Sequence, residues 1–247
     1  MGEKLKTPPL IEALCEFRFI PGSPWDWVLP GQLYDRIKGE FPIRSQIERM
    51  GVEVQSAPRA KPIATIHTGP ERVQLKRADG SAMVQVGFNL LAINHLRPYT
   101  SWTEFLALIM RIFDDYQGIA GKNELERIGL RYINHLLVPE NAEIGDVIAL
   151  APPLTGNLVR PIQAFYQRYE IEEDNPEGVL IHQTGTIQDE LGKPLFVLDL
   201  DFGSTRVQNL IYPQEVREWL NQAHDRVYDA FVSSLNPILY SALIGKT

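Results

Sequence analysis

Cysteine is the scarcest residue in this 247-residue chain: Cys15 stands alone. A single cysteine excludes an intrachain disulfide and suits a reducing compartment. No apolar run approaches the length of about 20 residues that spans a bilayer. The first residues lack the apolar core of a secretory signal, because Leu5 is soon followed by Pro8 and Pro9. The expected location is therefore the cytoplasm, with no membrane partner. Positive charge is also short. Lysine and arginine number 24 against 31 aspartates and glutamates, a formal net charge of −7. That balance argues against broad, charge-driven binding of nucleic acid. The five histidines, His67, His95, His135, His182 and His224, show no zinc-site spacing. There is no GxxxxGK[ST] phosphate loop and no GxSxG nucleophile elbow. No cofactor and no metal site are expected.

What remains is a composition that is 44% hydrophobic and 22% charged, that of a globular protein with one large domain or two fused units. The stretch "TPPLIEALCEFRF", Thr7 to Phe19, reads as a strand. Ile11, Ala13, Cys15, Phe17 and Phe19 form one row. Glu12, Glu16 and Arg18 share the other with Leu14. One row belongs in a core and the other is charged. Cys15, on the apolar row, is expected as a buried small hydrophobe.

Pro30 is suited to open a helix, in which Leu33, Ile37 and Phe41 form a stripe that Pro42 ends. Trp25 and Trp27 flank the preceding turn. They cover an edge of the core or stand exposed for a partner. "IATIHTG" and "ERVQLKR" read as two strands around Gly69-Pro70, and Asp79-Gly80 as a hairpin turn into "MVQVGF". "SWTEFLALIMRIFDDY" is a helix. Ser101 and Glu104 form its capping box, and Trp102, Phe105, Leu106, Ile109, Ile112, Phe113 and Tyr116 form its buried stripe.

The second half opens with "ELERIGLRYINHLLVP", another long strand, and a short helical piece around "EIGDVIAL". "QAFYQRYEI", "GVLIHQTGTI" and "PLFVLDLDF" read as three further strands. The last helix runs from Pro213 towards Leu235, and Asn236-Pro237 ends or kinks it. Each half thus shows a long strand, a helix, several strands and a strong amphipathic helix. The pattern predicts two pseudo-repeated halves, 1–120 and 121–247. Each is expected to be an antiparallel sheet covered by amphipathic helices, packed with the other as one unit of α+β class.

The opening "PPLIEALCEFRF", the middle "RIGLRYINHLLVP" and the overall length resemble a sporadically distributed family of bacterial and archaeal proteins of undefined function. The resemblance covers nearly the whole chain and carries no catalytic residues with it. Patchy occurrence implies accessory genes of the mobile or defence kind.

The residues that carry chemistry lie on strand faces. Glu12 and Glu16 on the first strand match Arg127, Arg131 and His135 on the second long strand. If those strands lie side by side, the rows form either a cross-strand ion ladder or a polar floor that binds a ligand. Asp199 and Asp201 in "LDLDF" share one face of a strand and could hold a hard cation such as magnesium. They are equally suited to solvation or ion pairing. His135 and His182 could meet across a sheet. Arg59, Lys61, Arg72, Lys76 and Arg77 concentrate positive charge in the first half, and Glu172, Glu173, Asp174 and Glu177 form an acidic loop in the second. Those two groups suit contact between copies of the chain. The expected function is a non-enzymatic interaction protein with a protein partner and scope for homo-oligomers. Two alternatives stay open: a small-molecule sensor with its ligand between sheet and helices, and a metal-dependent enzyme using Asp199 and Asp201.

Overall fold

The computed structural model describes residues 5–6, 8–20, 25–55, 63–137, 144–149, 164–189, 191–207, 210 and 212–245, with backbone alone at 49–55, 63–70 and 144. The elements in chain order are β1 (Leu10–Phe19), α1 (Leu29–Ile37), β2 (Ile43–Gln55), β3 (Ile63–Lys76), β4 (Ala82–Gly87), β5 (Leu90–Leu96) and α2 (Trp102–Ala120). They continue with β6 (Leu125–Leu137), α3 (Ile144–Val147), β7 (Tyr166–Asp174), β8 (Glu177–Gln188), β9 (Pro194–Ser204), α4 (Pro213–Ser234) and α5 (Pro237–Ile244). The class is α+β.

The nine strands among the described residues form one antiparallel sheet in the order β2-β3-β4-β5-β1-β6-β9-β8-β7. This corrects the expectation of a separate sheet in each half. The join is β1 against β6, where Cys15 faces Leu130 and Phe17 faces Ile128. Both strands present an apolar row to the same side, so pairing them extends one core.

That core lies between the sheet and α2 and α4. Ala13, Cys15, Phe17, Leu91, Ile93, Ile128, Leu130, Leu198, Leu200 and Phe202 supply its floor, all essentially inaccessible. Helix α2 seats Phe113 on Phe17, with ring centroids 4.5 Å apart, and Tyr116 on Phe19 at 5.1 Å. Such ring pairs contribute about 0.5–1.5 kcal/mol beyond the area they bury. Helix α4 seats Trp219 near Phe202 at 5.6 Å. At the start of α2, Ser101 Oγ accepts from the Glu104 N–H at 3.2 Å, which is the N-cap half of the expected capping box. Helix α1 ends at Ile37, short of the expected Phe41, although Leu33, Ile37 and Phe41 are all buried.

Gly69-Pro70 does not divide two strands. The chain runs through it as the single strand β3, and the pairing with β2 shifts between Ile47 and Glu48. Arg72 faces Ile47 and Pro70 faces Glu48, so Glu71 is the extra residue of a bulge. A bulge lets a strand carry a proline, which has no N–H for the ladder. The Asp79-Gly80 turn forms as expected. Gly80 has φ +73°, and Asp79 accepts from the Ser81 N–H at 2.9 Å. No helix among the described residues is long and apolar enough to cross a membrane.

Candidate interaction face

The sheet face opposite α2 and α4 is built from alternate residues of every strand. On β1 these are Glu12, Leu14, Glu16 and Arg18, and β6 sets Ile133, Arg131, Gly129 and Arg127 against them. Strand β9 continues the face with Asp199, Asp201 and Gly203, and β8 with Gln183, Ile181 and Val179. The other way, β5, β4, β3 and β2 contribute Asn94, Met83, Gln85, Gln74 and Ser45.

Polar side chains cross this face as a ladder. Ser45 Oγ donates to Gln74 Oε1 at 3.3 Å, Gln74 Nε2 to Gln85 Oε1 at 3.2 Å, and Gln85 Nε2 to Asn94 Oδ1 at 3.0 Å. Asn94 Nδ2 then donates to Glu12 Oε1. On the other side Arg131 grips Asp199 with two bonds, Nε to Oδ1 at 2.7 Å and Nη2 to Oδ2 at 2.5 Å. Gln183 Nε2 donates to the same carboxylate at 3.3 Å, and Arg168 on β7 donates to Gln183 Oε1 at 2.9 Å. Each partner named here is another strand residue. Side chains tied to neighbours on adjacent strands are held in place before anything binds.

Glu16 is the centre of the expected ion ladder. Arg127 Nη1 donates to it at 3.2 Å and Arg18 Nε at 2.8 Å. The contact from Arg127 is diagonal across the strands, and that from Arg18 runs along β1 itself. Directly across the strands Arg18 faces Arg127 and Leu14 faces Arg131. Arg127 also reaches Asp201, with Nη2 at 3.3 and 3.5 Å from its two oxygens. The guanidinium lies over a glycine pair, Gly129 on β6 and Gly203 on β9, which face each other in register. A Cβ on Gly129 would come within 2.7 Å of Nη1, and one on Gly203 within 2.6 Å of Nη2. The two missing side chains are the slot in which Arg127 rests. A concavity of about 330 Å³ opens beside it, lined in part by Arg127, Glu172, Val179, Ile181 and Gly203.

Both aspartates of "LDLDF" lie on this face, and both are engaged by arginine. A cation shared between them would have to displace Arg131 and Arg127. Burial pushes the Asp201 carboxyl above its ordinary range, opposed by Arg127 and Arg131. The bond to Asp199 raises Arg131 further. No group of three or more His, Cys, Asp or Glu side chains suited to a metal ion occurs among the described residues.

The predicted site residues are therefore split. Glu16 and Arg127 come together, Arg131 pairs with Asp199 instead of a β1 glutamate, and Glu12 is taken by Asn94. His135 lies at the far end of the row, in a groove of about 740 Å³ with Pro8, Pro9, Arg97, Leu137, Leu239 and Leu243. Burial, then the charge of Arg97, holds its pKa down. His182 does not meet it, because it points to the opposite side, into the core. There Ser234 Oγ gives its proton to the Ala230 carbonyl at 2.6 Å, so His182 Nε2–H donates to Ser234 at 2.8 Å. Cys15 is fully buried, and burial drives its thiol pKa well up.

In the basic stretch, Arg77 pairs with Glu40 and stacks on Phe41 at 5.4 Å, and Arg72 pairs with Glu71. Arg59 and Lys61 lie outside the described residues. The acidic residues expected as a loop lie instead in the paired ends of β7 and β8, around the Asn175-Pro176 turn, where Glu173 meets Arg226 at 3.6 Å and Glu177 meets Arg206. Trp27 and Phe88 stand exposed around the half-buried Trp25, whose ring is 5.7 and 6.3 Å from theirs.

Sequence reasoning missed the amide part of the ladder and a partly buried group between α2 and α4. In that group Tyr99 O–H meets Tyr132 O–H at 3.3 Å, and Tyr132 O–H meets His224 Nδ1 at 3.0 Å. Trp102 stacks flat on His224, with ring centroids 4.3 Å apart, and donates Nε1–H to Asn221. Burial lowers His224 to about 4 and raises Tyr99 to about 12. The alternation of polar residues in Gln74, Gln85 and Asn94 was the available signal for the amides. Nothing in the sequence paired Tyr132 with His224, 92 residues apart. Comparison with protein-family models, curated proteins and solved structures finds no match.

Proposed function

We propose that this protein is a non-enzymatic interaction protein that takes up another protein on the polar face of its sheet. One observation carries the reading: side chains from the nine described strands share the sheet face turned away from α2 and α4. They are already fixed by cross-strand bonds, with its central carboxylates held by arginines. A pre-ordered polar surface loses little side-chain freedom when a partner docks. Complementary charges then select the partner and speed its approach. The pairing of Asp199 and Asp201 with Arg131 and Arg127 supports this reading over metal-dependent chemistry. The packed aromatic layer between sheet and α2 supports it over a ligand held there.

The same proposal includes descent from a duplicated unit, with halves 1–120 and 121–247. Strand order supports it. Outward from the β1–β6 pair the sheet reads β5-β4-β3-β2 on one side and β9-β8-β7 on the other. A cytoplasmic setting, and an accessory role of the mobile or defence kind, belong to the proposal too. The lone buried Cys15 supports the former.

The test is recovery of bound proteins from the native cell with tagged wild type and with Arg18→Glu. Arg18 is exposed and is paired with Glu16 two residues away on the same strand, so the change leaves the core alone. Loss of a specific co-eluting protein with Arg18→Glu, and its retention with Glu218→Arg on the outer side of α4, supports the face. Equal recovery with both variants refutes it.

A further inference from the structure

We infer that strand β7 pairs with the β7 of a second copy of this chain, antiparallel, with Tyr169 opposite Tyr169 on a twofold axis. This goes beyond the preceding reading and stands apart from it, because it concerns the edge of the sheet and not its face.

Among the described residues β7 is the end of the strand order. It is nine residues long and pairs with β8 from Tyr166 to Asp174 without a register shift. Tyr166, Arg168, Tyr169, Glu170, Ile171, Glu172 and Asp174 are all exposed. It contains no lysine or proline, two common guards of an edge strand.

Which backbone groups face outward is fixed by one bond. Thr186 N–H donates to the Phe165 carbonyl at 3.0 Å, so Phe165 and Thr186 are a hydrogen-bonded pair. Antiparallel pairs alternate. Gln167, Tyr169, Ile171 and Glu173 therefore turn their N–H and C=O towards β8, and Tyr166, Arg168, Glu170 and Glu172 turn theirs to the open edge. A second strand must set its own outward residues against these, which leaves few registers. Centring the twofold on Arg168 opposes arginine to arginine. Centring it on Glu170 opposes glutamate to glutamate. Centring it on Tyr169 opposes Arg168 to Glu170 twice and Tyr166 to Glu172 twice, with Gln167 against Ile171. No like charges then face each other, and the acidic end of each strand meets the tyrosine end of the other. A parallel arrangement would stack acid on acid.

The geometry is ready for this partner. Arg168 already holds Glu170 of its own strand at 2.6 Å, so both side chains lie on one face at the height of the new strand. Tyr169 is steadied on the other face by His182, with ring centroids 5.9 Å apart. The four outward residues of each copy give about eight main-chain hydrogen bonds across the seam. The contact is isologous, so it closes at two copies. The two sheets run on into one, and their polar faces join.

The test is sedimentation of the full chain over roughly 1–100 μM, together with charge exchange. Wild type is expected to dimerise. Glu170→Arg alone, and Arg168→Glu alone, each turn two attractive pairs into repulsive ones and weaken the dimer at least about tenfold. The double variant Arg168→Glu/Glu170→Arg restores it. Tyr169→Cys places a thiol at a close, non-hydrogen-bonded pair, and mild oxidation is expected to give a disulfide-linked dimer. A monomer throughout the range that forms no disulfide overturns the inference. So does a dimer unaffected by the single reversals, or one lost equally in the double variant.

Discussion

Replacing Asp199 by Asn is the sharpest test of how the polar face is held together. The side chain is 11% exposed and accepts three bonds, at 2.7 and 2.5 Å from Arg131 and 3.3 Å from Gln183. Asparagine keeps one oxygen, loses the charge and turns an amide donor towards a guanidinium donor. A hydrogen bond to a charged group contributes about 1.5–3 kcal/mol net. Arg131 is 37% exposed, so water screens part of that. The expected loss is about 2 kcal/mol. For a chain of this size each kcal/mol moves Tm by about 2–4 °C, which gives a drop of about 4–8 °C. Asp201→Asn is the control. Its contacts with Arg127 are long, 3.3 and 3.5 Å, and burial already disfavours its charge. Its change should stay within about 1 kcal/mol. The assay is thermal unfolding followed by circular dichroism at pH 7 for wild type and both variants. No shift with Asp199→Asn, or an equal or larger shift with Asp201→Asn, refutes the assignment of the Arg131–Asp199 pair as the main tie.

Other outcomes follow from the same geometry. His224 is held near 4 by burial, so it is neutral when folded and protonates more readily when unfolded. Its stabilising contribution is complete above about pH 6.5 and is lost as pH falls towards 4, by about 2 kcal/mol at pH 5. His224→Phe should flatten that part of a stability-against-pH curve, and an unchanged slope contradicts the assignment. Gly203→Ala should leave the fold intact while displacing the Arg127 guanidinium, seen as loss of salt sensitivity in partner recovery without loss of secondary structure; unchanged recovery counts against the slot. Cys15 should resist a thiol reagent in the native protein and react fully after denaturation, and rapid native labelling would show that β1 is not packed as described. Magnesium at millimolar concentration should not raise Tm, whereas a concentration-dependent rise would revive the aspartate pair as a metal site.

The strands and long helices were legible because period-two and period-3.6 patterns are strong where one side is buried. The row Ala13, Cys15, Phe17 and the stripe Phe105, Ile109, Phe113 are examples, and both are in the core. The single sheet was not legible. An apolar row says which way a strand faces but not which strand is beside it, and the β1–β6 pairing joins residues more than 100 positions apart. The reading of Gly69-Pro70 as a break failed because a bulge let β3 continue through it. The charged rows were found by pattern, but their partners were set by diagonal reach. Arg131 went to Asp199 on β9, a strand that the rows of β1 and β6 give no reason to place there. Gly129 and Gly203 illustrate a further gap. Their role is to be empty space under Arg127, and that requires knowing they face each other.

Site-specific photocrosslinking in the native cell tests the account's central claim most directly. A photoreactive residue is placed at exposed positions of the polar face, Arg18 and Ser45, and at exposed positions on the outer side of the helices, Arg111 and Asp229. If the polar face takes up a protein, positions 18 and 45 form adducts with the same protein and positions 111 and 229 do not. Adducts confined to positions 111 and 229, with none from the face, contradict the claim.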